Sequence, residues 1–215
     1  MANKITFRKG DAYKIPVVDG WADLACCRTL LMHLPDPLKA VQEMSRVARN
    51  GGTVAAFERG RFDAVYIPDD ERLTKLAIRL GESYADGVRK LEGKHFDIGN
   101  RLPTIFHRAG LREIMAEYQA DTYLTSDPRR KLEDVRDELA FYFSTFKETK
   151  KLDAKAMLAG GASRKKINQY NAWFEKWMKS LLDDNEKLRN DTSFSAAGMV
   201  LAAGRKVDNG SRASR

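Results

Sequence analysis

The sequence predicts an α/β protein that has a parallel sheet and a helical insertion before its last strand. Two apolar runs, at residues 22–32 and 53–57, are typical of strands that are covered on both faces of a sheet. Between these runs, apolar residues recur at helical spacing. The order strand, helix, strand indicates one βαβ unit of a parallel sheet.

The helix of this unit has recognisable start and stop residues. Asp36-Pro37 supplies a residue that can cap the helix N-terminus and a proline for the first helical position. Asn50-Gly51-Gly52 is predicted to end the helix, because these residue types adopt the left-handed conformation of a C-cap. The second strand is expected to end at Glu58, and a further short strand is expected at Ile5–Arg8.

Helical patterns dominate the second half of the chain before it returns to a strand. Asp69-Asp70 is predicted to cap one helix, and alternating apolar residues predict a strand at 114–120. Apolar residues at helical spacing then predict two or three helices, followed by a last strand. The patterns divide the chain into a partial core at 1–126 and 191–207, a helical insertion or lid at 127–190, and a disordered tail at 208–215.

The composition is that of a folded protein rather than a nucleic-acid-binding one. Of the 215 residues, 43% are hydrophobic and 32% are charged, so the chain can bury a core. The net charge of +8 could attract anions, but the basic residues alternate with acidic ones. Solvated helix faces explain this pattern better than a nucleic-acid surface does.

The cysteines and histidines argue against a disulfide framework and a metal site. Cys26 and Cys27 are adjacent, so in a strand they point to opposite faces and do not pair. Three separate histidines, at positions 33, 95 and 107, form no ligand-spaced motif. A reducing, cytoplasmic location is expected. No signal peptide and no membrane span are predicted.

Three segments of the first 52 residues together resemble the class I S-adenosylmethionine-dependent methyltransferases, in particular the small-molecule and ubiquinone-biosynthesis types. The first runs from Phe7 through Gly10-Asp11-Ala12 to Ile15-Pro16. The second runs from Ala22 to Leu34. The third begins with Asp36-Pro37, continues through Ala40–Ala48 and ends at Gly51-Gly52. Their order and spacing are similar to those of the family.

The resemblance implies a seven-stranded, doubly wound sheet that binds S-adenosylmethionine at the carboxyl ends of its strands. It implies that Asp11 accepts a hydrogen bond from the adenine amino group, a task that suits an acceptor-only carboxylate. The backbone N–H of Ala12 is expected to meet the adenine ring. Cys27, Arg28 and His33 are expected to contact the cofactor just beyond the strand that corresponds to the family's fourth.

Each of these residues also has an ordinary structural interpretation. Asp11 could simply close a turn after Gly10. Arg28 could be a surface arginine at the end of a strand, and Cys27 could fill space in the core. His33 could cap or pack against the following helix.

Two parts of the family pattern are absent: the glycine-rich turn after the first strand and the acidic residue that ends the second. Only six residues precede Phe7. The sequence therefore predicts an incomplete doubly wound, Rossmann-like sheet that lacks its first two strands. A truncated or mis-started reading frame, a fragment completed by another polypeptide, and a degenerate domain would each explain this. Residues 9–21 are too few for the crossover between adjacent parallel strands, so 22–32 is predicted to have a bare edge.

The predicted function is methyl transfer from S-adenosylmethionine to an unidentified small molecule, by a chain that is incomplete on its own. No catalytic residue is predicted, because the reaction mainly requires alignment of the two reactants. The alternative is a non-catalytic binding or scaffold protein that uses the helical insertion. A completing polypeptide or a second copy of the chain are open as partners, whereas a membrane and nucleic acid are not expected.

Overall fold

A computed structural model describes residues 5–60 and 64–208, and it confirms the predicted mixed α/β architecture. The strands are β1 (Ala22–Arg28), β2 (Ala48–Arg59), β3 (Ala64–Tyr66), β4 (Arg112–Leu124) and β5 (Phe194–Arg205). The helices are α1 (Pro37–Val47), α2 (Glu71–Glu92), α3 (Leu102–Arg108), α4 (Leu132–Ala159), α5 (Arg164–Leu182) and α6 (Asn185–Asn190).

The β1–α1–β2 segment is the predicted βαβ unit. β1 and β2 are parallel, in a register that places Leu24 opposite Thr53 and Arg28 opposite Phe57. Asp36 caps α1 as predicted, because its carboxylate accepts the N–H of Lys39 at 3.0 Å. The strands pair in the order β1-β2-β5-β3, with β4 also paired to β5, and β5 is antiparallel to both β2 and β3.

The chain forms two compact units. The first contains the described residues of Met1–Gly60, Asp97–Gln119 and Met199–Arg215. The second contains those of Arg61–Phe96 and Ala120–Gly198. The second unit thus includes α2, which the sequence analysis placed in the core segment 1–126. The assignment of 127–190 as an insertion or lid stays a prediction.

The first unit buries one face of α1 against the β1–β2 pair. Val41, Met44 and Val47 are almost fully buried on α1. Val54 and Ala56 alternate with more exposed residues along β2, as expected for a strand with one face on the core. The apolar spacing that predicted this helix therefore reflects its burial.

The end of α1 differs from the prediction. The helix ends at Val47, and Asn50-Gly51-Gly52 lies within β2 instead of capping the helix. Gly51 has φ +74°, a left-handed conformation that favours glycine. A Cβ on Gly52 would lie 2.8 Å from the carbonyl oxygen of Arg49, which leaves no room for a side chain. These glycines shape the irregular start of β2.

Two strand predictions are also wrong. β1 ends at Arg28, and it is not covered on both faces, because Leu24 is 54% exposed and Cys26 is exposed. Within the described residues β1 pairs only with β2, so it has the open edge that was predicted. Ile5–Arg8 forms no strand. Of the predicted disordered tail, residues 209–215 lie outside the described part of the chain.

The second unit is mainly helical. Val135, Leu139 and Phe143 of α4 pack with Met178 and Leu181 of α5 in one apolar cluster. Helix α4 begins at Leu132, whereas the helical insertion was predicted to begin at residue 127. Asp127 instead forms a local turn, in which its carboxylate accepts the N–H of Arg129 at 3.0 Å.

Candidate functional site

The carboxyl ends of β1 and β2 form the candidate site of the first unit. Arg28 lies opposite Phe57, and the N–H of Thr29 donates to the carbonyl of Phe57 at 2.9 Å. In open α/β sheets, ligands bind beyond this end of parallel strands. Thr29 has φ +47°, which is unusual for a β-branched residue and marks the turn as strained.

Glu58 is the most unusual residue near this turn, because it is an acidic side chain with no exposure. Its Oε1 accepts the backbone N–H groups of Leu30 and Leu31 at 2.8 Å each, and its Oε2 accepts that of Met32 at 3.3 Å. A buried carboxylate is costly unless such donors satisfy it. Sequence reasoning treated Glu58 only as the end of a strand. The available signal was an acidic residue on the same face as buried Val54.

Cys27 lies next to Glu58 and is a neutral thiol. Its Sγ is 3.9 Å from Oε1 of Glu58, and the residue is partly buried. Burial, reinforced by the negative charge of Glu58, raises the pKa of Cys27 to about 12. Its neighbour Cys26 is exposed. The two adjacent thiols therefore have different environments, as expected for neighbours in a strand.

The two thiols should differ in their reaction with iodoacetamide at pH 8 in the native protein. The thiolate is the reactive form, so we expect Cys26 to be alkylated and Cys27 to be protected. Peptide mass spectrometry of the Cys26→Ala and Cys27→Ala variants measures each rate separately. Both should react in guanidinium, and equal native rates would contradict the assigned environments.

Arg28 and His33 flank the turn that Glu58 holds. The Arg28 guanidinium lies 5.4 Å from the centre of the Phe57 ring, and the residue is exposed. His33 is exposed in a short 3-10 turn, Leu31–His33, and its N–H donates to the carbonyl of Leu30 at 3.0 Å. The structure thus places Cys27, Arg28 and His33 at one end of β1.

Asp11 and Ala12 lie in a separate turn. The Asp11 carboxylate accepts the N–H of Tyr13 at 2.8 Å, and its carbonyl accepts the N–H of Lys14 at 3.0 Å. Asp11 therefore closes a turn, which was the structural alternative to a role in cofactor binding. Its side chain is also exposed. The hydroxyl of Tyr13 accepts the N–H of Asp36 at 3.1 Å, which attaches this turn to the start of α1.

The segment after this turn is held by an ion pair on α1. Glu43 accepts the N–H of Ile15 at 2.8 Å. Arg46 donates to Glu43 and to the carbonyls of Ile15 and Val17, at 3.0 and 3.1 Å for the two carbonyls. The hydrogen bonds from Arg46 lower the pKa of Glu43. The same hydrogen bonds to Glu43 raise the pKa of Arg46.

The described residues contain no group of three or more His, Cys, Asp or Glu side chains that could hold a metal ion. Over the same ranges, 5–60 and 64–208, no helix is long and apolar enough to cross a membrane. The role of Asp11, Ala12, Cys27, Arg28 and His33 in cofactor binding stays a prediction.

Comparison with known proteins gives a consistent result. Residues 1–56 match the model of a methyltransferase domain family. The chain is 35% identical over 68 residues to an uncharacterised methyltransferase of Schizosaccharomyces pombe, covering 32% of this chain and 24% of that protein. It is 32% identical over 116 residues to the demethylmenaquinone methyltransferase of Desulfitobacterium hafniense, covering 51% of this chain and 46% of that protein.

A third relative and two crystal structures complete the comparison. The demethylmenaquinone methyltransferase of Lactiplantibacillus plantarum is 26% identical over 121 residues, 53% of this chain and 51% of that protein. A protein of Bacillus halodurans C-125 described as a proposed methyltransferase gives a TM-score of 0.48 at 16% identity, over 95% of this chain and 78% of that one. The phosphoethanolamine N-methyltransferase 2 of Haemonchus contortus gives a TM-score of 0.39 at 13% identity. This match covers 92% of this chain and 36% of that one.

The parallel β1–α1–β2 unit places the candidate site at the carboxyl ends of its strands, where open α/β sheets bind their ligands. Residues 1–56 match a methyltransferase domain family, and this is the segment whose motifs predicted the resemblance. It spans between 24% and 51% of the length of the curated relatives it matches.

Proposed function

We propose that this chain takes part in methyl transfer from S-adenosylmethionine to a small-molecule acceptor. The observation that carries the proposal is the family match of residues 1–56, which contains both the Asp11 turn and the end of β1. Two of the relatives are named demethylmenaquinone methyltransferases, which supports a small-molecule acceptor. No observation on the described residues supports the scaffold alternative.

The proposed cofactor fits the residues that are present. Asp11 is exposed and uses Oδ1 for the N–H of Tyr13, so Oδ2 can accept a hydrogen bond from an adenine amino group. The backbone N–H of Ala12 would face the ring edge. At the end of β1, the exposed side chains of Arg28 and His33 would border the rest of the cofactor.

The neutral state of Cys27 also suits a site that holds a methyl donor. The cofactor would supply a sulfonium methyl group, which is an electrophile. A thiolate beside it would compete with the acceptor as a nucleophile. Because the pKa of Cys27 is raised to about 12, its side chain stays a thiol and is a poor nucleophile at neutral pH. The protein's own contribution to the reaction would be alignment and exclusion of water.

The helical segment at 127–190 and the cellular location are secondary parts of the proposed function. A role of residues 127–190 in selecting the acceptor is part of the proposal. The two cysteines form no disulfide, which supports a reducing, cytoplasmic location.

Calorimetric titration of the full chain with S-adenosylmethionine tests the proposal. We expect measurable binding, and we expect Asp11→Ala to weaken it roughly tenfold, the effect of losing one hydrogen bond to a charged group. Asp23→Ala is the matched control, because the Asp23 side chain is 84% exposed and forms a surface ion pair with Arg49. A folded chain that binds no S-adenosylmethionine would overturn the proposal.

A further inference from the structure

The turn after β1 has the geometry of a backbone anion site. Thr29 has a left-handed backbone, with φ +47°, and Leu30 has a right-handed one, with φ −105° and ψ −51°. Successive residues of opposite hand direct their N–H groups toward one point, which creates a small anion-binding concavity. Here the N–H groups of Leu30, Leu31 and Met32 all point to the carboxylate of Glu58.

The carboxylate of Glu58 therefore occupies a concavity that in other proteins binds an anion from solution. It also replaces the missing helix cap, because Leu30 makes no side-chain capping hydrogen bond to the 3-10 turn at Leu31–His33. The carboxylate is fully buried, and its strand is anchored by Val54 and Ala56 on the same face. The position of the turn is thus set by β2 through one side chain.

The clamped turn lies between the residues proposed to contact the cofactor. Arg28 precedes Thr29 directly, and His33 follows Met32 directly. Cys27 contacts the same carboxylate through its thiol, at 3.9 Å. A strained backbone conformation persists only where the surroundings hold it. Here the carbonyl of Phe57 accepts the N–H of Thr29, and Glu58 holds the three residues that follow. Movement of the carboxylate would change the direction of all three side chains.

We infer that Glu58 is a positioning residue, which orients the Cys27–His33 segment for binding S-adenosylmethionine without touching the cofactor itself. The inference rests on the proposed function. It predicts that loss of the carboxylate weakens cofactor binding by more than the accompanying loss of stability would. A purely structural role for Glu58 predicts instead that binding by the folded protein is unchanged.

Three variants of the full chain separate these roles. Glu58→Gln keeps the shape but brings an amide donor against one of the backbone N–H groups. Glu58→Asp keeps the charge on a shorter side chain. Val54→Ala is the control, because Val54 is fully buried on the same face of β2 but has no side-chain group that could accept the N–H groups of residues 30–32. Thermal midpoints, S-adenosylmethionine affinity and amide hydrogen exchange of residues 30–32 are measured for each.

We expect Glu58→Gln to weaken S-adenosylmethionine binding about tenfold or more, and to speed amide exchange of residues 30–32 by a similar factor. Glu58→Asp should recover part of both losses. Val54→Ala should lower the thermal midpoint while binding and exchange at these amides stay near those of the wild type. Equal affinities of Glu58→Gln and the wild type in folded protein would overturn the inference.

Amide exchange distinguishes failure of this inference from failure of the proposed function. If the wild type binds no S-adenosylmethionine, the proposed function fails and the cofactor role of Glu58 fails with it. Faster exchange at residues 30–32 in Glu58→Gln would then still support the clamp. Unchanged exchange would refute the clamp, whatever the wild type binds.

Discussion

Replacing Gly87 with alanine should destabilise the second unit by at least about 3 kcal/mol, an effect at the upper end for overpacking a tight contact. A Cβ at this position of α2 would coincide with the carbonyl group of Ala156 on α4. The contact is reciprocal, because a Cβ on Gly160 would coincide with the carbonyl of Ser83. Both obstacles are backbone atoms, so the two helices would have to separate.

Gly81→Ala is the matched control for this prediction. Gly81 also lies in α2, but a Cβ there meets nothing within 4 Å. Alanine at an exposed helical position should therefore stabilise by about 0.5–1 kcal/mol, because glycine is a poor helix former. Denaturation followed by tryptophan fluorescence measures both variants, since Trp173 and Trp177 lie stacked in the same unit. Equal stability of the two variants would show that α2 and α4 do not pack as described.

The sequence predicted those features that depend on local chemistry. The cap at Asp36 was predictable because a short acidic side chain before a proline satisfies the first helical N–H groups. The side chains of Asp70 and Ser163 likewise accept backbone N–H groups at the starts of α2 and α5, although no proline follows either residue. The apolar run at 22–32 correctly predicted the presence of a strand, but β1 ends at Arg28 and is not covered on both faces.

Features that depend on tertiary contacts were missed. Gly51-Gly52 has the composition of a helix C-cap, but the chain uses it to begin β2, where Gly52 lies against the carbonyl of Arg49. Composition cannot distinguish these uses of glycine. Glu58 was missed as a site residue because its backbone donors at 30–32 are more than 25 residues away in the sequence. The approach of Gly87 to α4 is equally non-local.

Replacing Arg46 with methionine should lower the thermal midpoint of the first unit by about 5 °C, because several partners lose their donor at once. Arg46 serves Glu43, Asp19 and the carbonyl groups of Ile15 and Val17, and its side chain is only 31% exposed. Arg49→Met is the control. The Arg49 side chain is 55% exposed and pairs with the Asp23 carboxylate, which is 84% exposed, so its loss should hardly change the midpoint.

The same pair of variants should differ in their response to acid. Hydrogen bonds from Arg46 lower the pKa of Glu43 below its usual 4.5 in the folded protein. A carboxylate with a depressed folded pKa contributes stability above its unfolded pKa, and this contribution is lost as the pH falls through the folded value. The wild type and Arg49→Met should therefore lose stability steeply below about pH 4.5, the ordinary pKa of this carboxyl group. In Arg46→Met the pKa of Glu43 returns toward that value. The thermal midpoint of this variant should therefore fall less than that of the wild type between about pH 6 and about pH 3. Scanning calorimetry at these two pH values, which lie roughly one unit or more on either side of 4.5, measures the difference. Other carboxylates with lowered pKa values, such as Asp127, are common to all three proteins and cancel in the comparison. Identical pH dependence in the three proteins would mean that Arg46 does not hold the carboxylate of Glu43.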